Sequence, residues 1–306
     1  MENVGIGVLR SLISGSDSLF SIFHFLFSIS IRLCGLILIL SAFTFAQKIA
    51  VLAPEKNPST ENFIEKLEVA FPENAKVLDD ALGDAAYRSQ SFDKPFNLTL
   101  AQAKNVGAAI GCDFFLLIKT GDLKRASSAR GNFYESFAAI FVVSARTGRL
   151  VFFTVESRES NVQKDAQARL FDSAKFLATE IFERIKIARA AEFNEKSPPN
   201  FEPLPEENSS EAKNFRAPLP YKRLSPVYTR LANSYAVEAT VDAEIDVDEN
   251  GKILNIQIAR WAGFGLDESV EENIRRMNWR AATRNEKPLP TRVLLRYNFK
   301  KTETGN

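Results

Sequence analysis

Alternation is sharpest between residues 238 and 248. Glu238, Asp242, Glu244, Asp246 and Asp248 occupy even positions, and Ala239, Val241, Ala243, Ile245 and Val247 fall between them. A period of two predicts a strand with one buried face and one acidic, wet face. Asn250-Gly251 follows, a pair suited to the positive φ values of a type I′ turn. A return strand over 252–260 then puts Leu254, Ile256 and Ile258 on the core side. Leu266, Val270, Ile274 and Met277 recur at helical spacing, with Asp267 and Glu268 in the first turn and Arg275 and Arg276 in the last, as the helix dipole favours. Trp279 is read as a plug between this helix and the sheet. A final alternating run, 291–299, points Val293, Leu295, Tyr297 and Phe299 inward and Arg292, Arg296 and Lys300 outward. Opposite charges on neighbouring antiparallel strands gain about 0.2–1 kcal/mol per pair. The basic last strand is therefore expected beside the acidic first strand, with the return strand on the far side. That order leaves the last strand as an open edge, a template for another chain.

Residues 47–192 carry a different rhythm, that of an α/β domain. Ile49-Ala-Val-Leu52 predicts a short buried strand, and Phe63, Ile64, Leu67 and Phe71 a helix behind an N-cap at Ser59 or Thr60. Residues 75–78 predict a second strand. Thr99-Leu-Ala-Gln102 has the form of a capping box and opens a helix that closes at Gly111. The apolar run within 113–119 is short enough for a core strand. Strands over 133–143 and 149–155 flank Ala145-Arg-Thr-Gly148, a hairpin signal. A long helix over 162–191 lines up Leu170, Ala174, Leu177, Ile181 and Ile185.

The segment 193–217 is rich in Pro, Glu, Asn and Ser and reads as an extended, solvated linker. At about 3.1 Å per residue it spans on the order of 80 Å. Residues 1–46 read as a secretory signal peptide or a membrane anchor. An apolar core over 33–43 lies behind Arg32, and Thr44-Phe-Ala46 offers small residues where a signal peptidase cuts, leaving Gln47 as the first mature residue. The stretch before Arg32 is apolar as well. One continuous span over 19–46 would bury Arg32 near its middle, at about 2.5–3.5 kcal/mol. Export is expected on either reading, to the periplasm, with attachment to the inner membrane if the segment is retained. Residues 302–306 are a tail.

Composition narrows the chemistry. The formal net charge of +1 gives no sign of nucleic-acid binding. The only histidine, His24, lies in the N-terminal apolar stretch, which leaves the exported part without a Ser-His-Asp triad, a Cys-His pair or a histidine-ligated metal. Cys34 sits in the same stretch, so Cys112 has no partner for a disulfide and reads as a core residue. No phosphate-binding glycine loop occurs, and no pair of carboxylates stands out as an acid/base couple. No cofactor, no metal and no enzymatic activity are expected.

Pro226-Val-Tyr228, the acidic alternating strand, Asp248-Glu-Asn-Gly251, Ala262-Gly-Phe-Gly-Leu-Asp267, Trp279-Arg-Ala-Ala-Thr283 and Lys287-Pro-Leu-Pro290 follow one another in an order that resembles the C-terminal domain of TonB-family proteins. The resemblance covers 218–301. It implies a periplasmic, non-enzymatic module that grips a partner through a sheet edge, the partner being a TonB-dependent outer-membrane receptor or an envelope complex. The contact residues it points to are Arg292, Leu294, Arg296 and Asn298 on the edge strand, with Pro226 and Tyr228. The sequence departs from the family in having Thr229 after the tyrosine and Trp261-Ala-Gly263 in place of Ser-Ser-Gly. The first half resembles the small α/β domains of bacterial envelope-assembly proteins, through Ile49-Ala-Val-Leu52, Leu98-Thr-Leu-Ala-Gln102 and Arg146-Thr-Gly148. The whole is expected to be an α+β protein that binds a partner by β-strand addition in TonB-dependent transport. The alternative is a non-transducing periplasmic scaffold, which the short linker and altered motifs favour.

Overall fold

The computed structural model describes residues 46–129, 131–195, 201–202, 204–206 and 208–301. The expectations for the N-terminal signal or anchor lie outside the described residues. The first half contains β1 (Gln47–Leu52), α1 (Pro58–Ala70), β2 (Ala75–Val77), α2 (Asp80–Arg88), α3 (Leu100–Ile110), β3 (Phe114–Ser127), β4 (Gly131–Ser144), β5 (Leu150–Ser160), α4 (Gln163–Asp172) and α5 (Ala174–Asn194). Its sheet has the order β2-β1-β3-β4-β5, parallel across the first two pairings and antiparallel across the last two.

Both faces of this sheet are covered, which explains the unbroken apolar runs in β3 and β4. Ile49, Val51, Leu116, Ile140 and Val142 face a layer made by Phe63 and Leu67 of α1, Leu170 of α4 and Leu177, Ile181 and Ile185 of α5. Ala50, Leu52, Phe115, Leu117, Phe141 and Val143 face the other way, toward Tyr87 of α2 and Ala103, Val106 and Ile110 of α3. The capping box at Thr99 and the left-handed Gly111 bound α3 as expected. Three local details differ from expectation. The N-cap of α1 is Asn57, whose side chain accepts from Thr60 N–H ahead of Pro58. The helix α2 has no counterpart in the periodicity reading. The long C-terminal helix is two, broken at Ser173, whose hydroxyl donates back to the Leu170 carbonyl.

The second half contains β6 (Phe215–Arg216), β7 (Leu219–Pro220), α6 (Arg230–Ser234), β8 (Ala239–Val247), β9 (Ile253–Arg260), α7 (Leu266–Arg275), β10 (Trp279–Arg280), β11 (Ala282–Arg284), β12 (Lys287–Leu289) and β13 (Thr291–Phe299). The three-stranded antiparallel sheet has the order β13-β8-β9, with the last strand beside the first. The helix α7 lays Leu266, Val270 and Ile274 on the sheet, and Trp279 is buried in the same core. Two details correct the expected hairpin. Only Gly251 has a positive φ (80°); Gly251 N–H returns to the Asp248 carbonyl, and the Asp248 side chain accepts from Asn250 and Lys252 N–H. The turn is therefore a loop with one left-handed glycine, not a type I′ pair. A bulge follows: Val247 pairs with Ile253 and Asp246 with Asn255, so Leu254 is the extra residue and stands 53% exposed, off the core face.

The segment read as an extended, solvated linker is pinned in places. Glu202 bridges Thr291, and β6 pairs with β11. The two halves also share one hydrophobic core. The face of the first sheet that carries Phe141 continues without a break into Val241, Ile245, Trp261, Phe264 and Val270. Trp261 is 1% exposed, packs 5.8 Å from the Phe141 ring, and its Nε1–H donates to the Gly148 carbonyl in the β4–β5 turn at 3.0 Å. Phe264 packs on Phe153 at 4.6 Å, and Tyr235 on Phe137 at 4.7 Å.

Truncating Trp261 removes an aromatic side chain and leaves the Gly148 carbonyl without its donor. Such core truncations cost about 3–5 kcal/mol. The wild-type chain from Gln47 is expected to unfold in urea as one transition by both near-UV and far-UV circular dichroism, and Trp261→Ala to lower that midpoint for both halves together. Two separated wild-type transitions would contradict a shared core.

Candidate functional site

β13, an edge of the three-stranded sheet, forms the candidate site. It pairs with β8 from Thr291↔Val247 to Phe299↔Ala239, so Arg292 lies opposite Asp246 and Arg296 opposite Asp242. Both pairs are two-pronged. Arg292 Nε and Nη2 donate to the two Asp246 carboxylate oxygens at 2.7 and 2.9 Å, and Arg296 does the same to Asp242 at 2.7 and 2.9 Å. Arg260 of β9 adds a bond to Asp242 at 3.1 Å. The face expected to be wet is thus closed at these two points: Asp242 is 4% and Asp246 1% exposed, covered by arginine side chains lying across the strands. Burial raises the Asp242 carboxyl, and the Arg296 and Arg260 guanidiniums outweigh it, so the group sits below the ordinary carboxylate range.

With these arginines turned back onto β8, Leu294 between them is 48% exposed. The outer side of β13 carries two contacts from the chain itself. Arg292 N–H donates to the Glu202 carbonyl at 3.2 Å, and the Arg223 guanidinium donates to the Arg296 carbonyl at 2.7 Å. Residues of that parity in an antiparallel strand turn both backbone groups to the same side. Arg292, Leu294, Arg296 and Asn298 therefore share the outward edge as well as one face. Among the described residues, no other strand pairs with it.

Tyr228 and Pro226 lie elsewhere. The Tyr228 hydroxyl shares its one proton between the Val237 carbonyl at 2.9 Å and the Ala232 carbonyl at 3.2 Å, and its ring stacks 6.3 Å from Phe299, on the α7 side of the sheet. It braces the end of β13 and does not line the outward face. Pro226 is half-buried two residues earlier. Cys112 is half-buried, and burial pushes its thiol up to about 12, which leaves it protonated.

The loop after β9 is the part that sequence reasoning missed. Gly263, Phe264 and Gly265 all have positive φ (68°, 55° and 73°), and a Cβ on Gly263 would meet the Phe153 ring at 2.7 Å. Asp267 holds the loop, its two oxygens accepting from Ala262 and Gly263 N–H at 2.8 Å each. Burial drives the Asp267 carboxyl up to about 7 against those two bonds. Asn97 clamps from the other half: its Oδ1 accepts from Thr240 N–H, and its Nδ2 donates to the Thr240 and Trp261 carbonyls. Across the same boundary Tyr235 donates to Glu135 at 2.6 Å, and Glu135 also pairs with Arg125. In the sequence, Ala262-Gly-Phe-Gly-Leu-Asp267 stands out as a family motif, and Trp261-Ala-Gly263 in place of Ser-Ser-Gly is the hint that the loop meets the other half.

Residues 225–300 match the family model described as Gram-negative bacterial TonB protein C-terminal. The chain carries a TonB C-terminal-like domain over that span. Among solved structures, the Pseudomonas aeruginosa TonB C-terminal domain matches 35% of this chain and 100% of its own, at 17% identity and a TM-score of 0.25. Lipoprotein GNA1162 from Neisseria meningitidis matches 44% of this chain and 99% of its own, at 14% identity and a TM-score of 0.29. PelC from Paraburkholderia phytofirmans, a dodecamer, matches 47% and 90%, at 11% identity and a TM-score of 0.26. Likenesses this distant carry no activity across. The comparison with curated proteins gave no match. Among the described residues no helix is long and apolar enough to cross a membrane, and no group of His, Cys, Asp and Glu is placed to hold a metal ion.

The Asp242 carboxylate favours folding while it is charged. Its folded pKa lies below the unfolded value of about 3.9, so its contribution is complete above that pH and is lost as pH falls through the folded value. Asp242→Asn is expected to cost about 1–3 kcal/mol at pH 7. The gap between variant and wild type in urea melts should narrow below pH 4. A gap that stays constant down to pH 2 would show that the paired charge contributes nothing.

Proposed function

We propose that this is an exported envelope protein that binds a protein partner by β-strand addition to the outer edge of β13, in support of TonB-dependent transport across the outer membrane. The observation that carries the reading is the state of that edge. Charged side chains commonly guard an edge strand. Here Arg292 and Arg296 are tied down to Asp246 and Asp242, and an exposed Leu294 lies between them. The Glu202 and Arg223 contacts mark two backbone positions that an incoming strand would take over. The role is binding without catalysis, in the periplasm, with Arg292, Leu294, Arg296 and Asn298 as the contact strand. Tyr228 braces its end through the Phe299 ring.

A specific observation favours a second reading, a non-transducing scaffold. The TonB-like domain is seated on the α/β half through one continuous core. A module so seated holds a fixed place in an assembly and has less reach than one on a free tether. Crosslinking in cells separates the two: outer-membrane receptors among the products support the first, envelope structural proteins alone the second.

The strand-addition reading is tested with the chain from Gln47 and peptides copied from the N-terminal segments of outer-membrane transporters. Amide NMR shifts are expected along 292–298. Leu294→Pro removes an outward N–H without costing a β8 ladder bond. It should keep the thermal midpoint within a few degrees and weaken binding at least about tenfold, one or two lost hydrogen bonds' worth. Absence of shifts along β13 at millimolar peptide would overturn the proposal.

A further inference from the structure

Seating the TonB-like domain on the first sheet brings two other sheet edges together. β5 ends the five-stranded sheet and β9 ends the three-stranded sheet. Residues 150–153 of β5 and 255–258 of β9 line one cleft of about 800 Å³. Among the described residues neither stretch has a strand on its outer side. Just beyond the cleft the chain itself uses the β9 edge: Thr99 bridges Arg260 in antiparallel sense, and Trp261 N–H donates to the Leu98 carbonyl. The end of β9 past the bulge between Ile258 and Arg260 thus already accepts strand pairing, and the stretch 255–258 before it is left open.

β5 needs cover for its own reasons. From Leu150 to Val155 it reads Leu-Val-Phe-Phe-Thr-Val, with no charge, proline or glycine, and its side chains are half-buried. A long apolar edge of this kind is a pairing and aggregation hazard unless something occupies it.

The charge of the cleft selects the occupant. Its ionisable lining is Arg149 against the carboxylates of Glu195, Asp246, Asp267, Glu268 and Glu271. Arg149 is tied to Glu195 at 2.7 Å, Asp246 to Arg292, Glu271 to Arg275, and Asp267 to backbone N–H groups. Glu268, exposed on the first turn of α7, has no ion-pair partner among the described residues.

We propose that the cleft between β5 and β9 is a second strand-receiving site, which takes an extended segment of a partner protein carrying alternating apolar and basic side chains. The segment pairs its backbone with both edges, sets its apolar side chains against Phe152 and Ile256, and brings a lysine or arginine to Glu268. It would join the two sheets into one. This site lies across the three-stranded sheet from β13 and does not depend on the reading given for that edge.

The probe is a capped heptapeptide alternating valine and lysine, titrated into the chain from Gln47, with a valine–glutamate twin as control. Amide shifts and slowed hydrogen exchange are expected at 150–155 and 255–258 with the lysine peptide and not with the twin. Glu268→Lys should lower the melting temperature by no more than a few degrees, the cost of a cation in the first turn of α7, and weaken binding roughly five- to tenfold. Leu294→Pro should leave binding unchanged, which separates this site from the β13 edge. No shifts at either edge at millimolar peptide, equal binding of both peptides, or shifts confined to β13 would overturn the proposal. So would concentration-dependent dimerisation that protects the same amides without peptide, because the occupant would then be a second copy of the chain.

Discussion

The indole of Trp261, closed between Phe141 and the β4–β5 turn, is the contact on which the arrangement of the chain depends. Removing a side chain of this size from water is worth roughly 4–6 kcal/mol. Here it also satisfies the Gly148 carbonyl, which the turn would otherwise leave without this donor. Three successive left-handed residues put the indole there, and Asp267 holds their backbone. Backbone in this region is costly for a residue with a side chain, and Phe264 accepts it because its ring closes on Phe153 and Phe141. The loop is thus strained locally and stabilised by contacts in the other half.

From that seating the strand edges take their positions. An isolated three-stranded sheet would present two equivalent edges to solvent. With one face of the five-stranded sheet serving as a floor, β9 is turned toward β5 and β13 is left on the far side. The arginine–aspartate pairs on β13 belong to the same logic. They neutralise a strand of buried acids, and in doing so they withdraw the charges that would have guarded the edge. Binding by strand addition and a fixed position in the envelope are therefore compatible readings of one geometry, and the partner decides between them.

Much of the second half could be read from its residues. The even-numbered acids and the arginines of 291–299 sufficed to order the strands β13-β8-β9, because register in a half-buried sheet is set by which residues must face inward. Reading failed where a single residue changed parity or function. Leu254 looked like core until the bulge at Val247 moved it out, and Asn250 looked like half of a type I′ turn until the Asp248 side chain took its N–H. Asp242 and Asp246 looked wet because alternation reveals the face of a strand but not whether long side chains from a neighbour will cover it. The candidate edge of β13 was legible for the same reason as the strand order, whereas the cleft beside β9 was not. It depends on Trp261 finding a receptor more than 100 residues away, and no local period encodes such a contact.

A core shared by the TonB-like domain and the α/β half requires the two to tumble as one body. The most direct test is backbone ¹⁵N relaxation on the chain from Gln47. A single tumbling time for amides in β3–β4 and in β8–β13 is the predicted result. A distinctly shorter tumbling time for residues 225–300 would mean a module swinging on a tether, and would contradict the shared core and the cleft that depends on it.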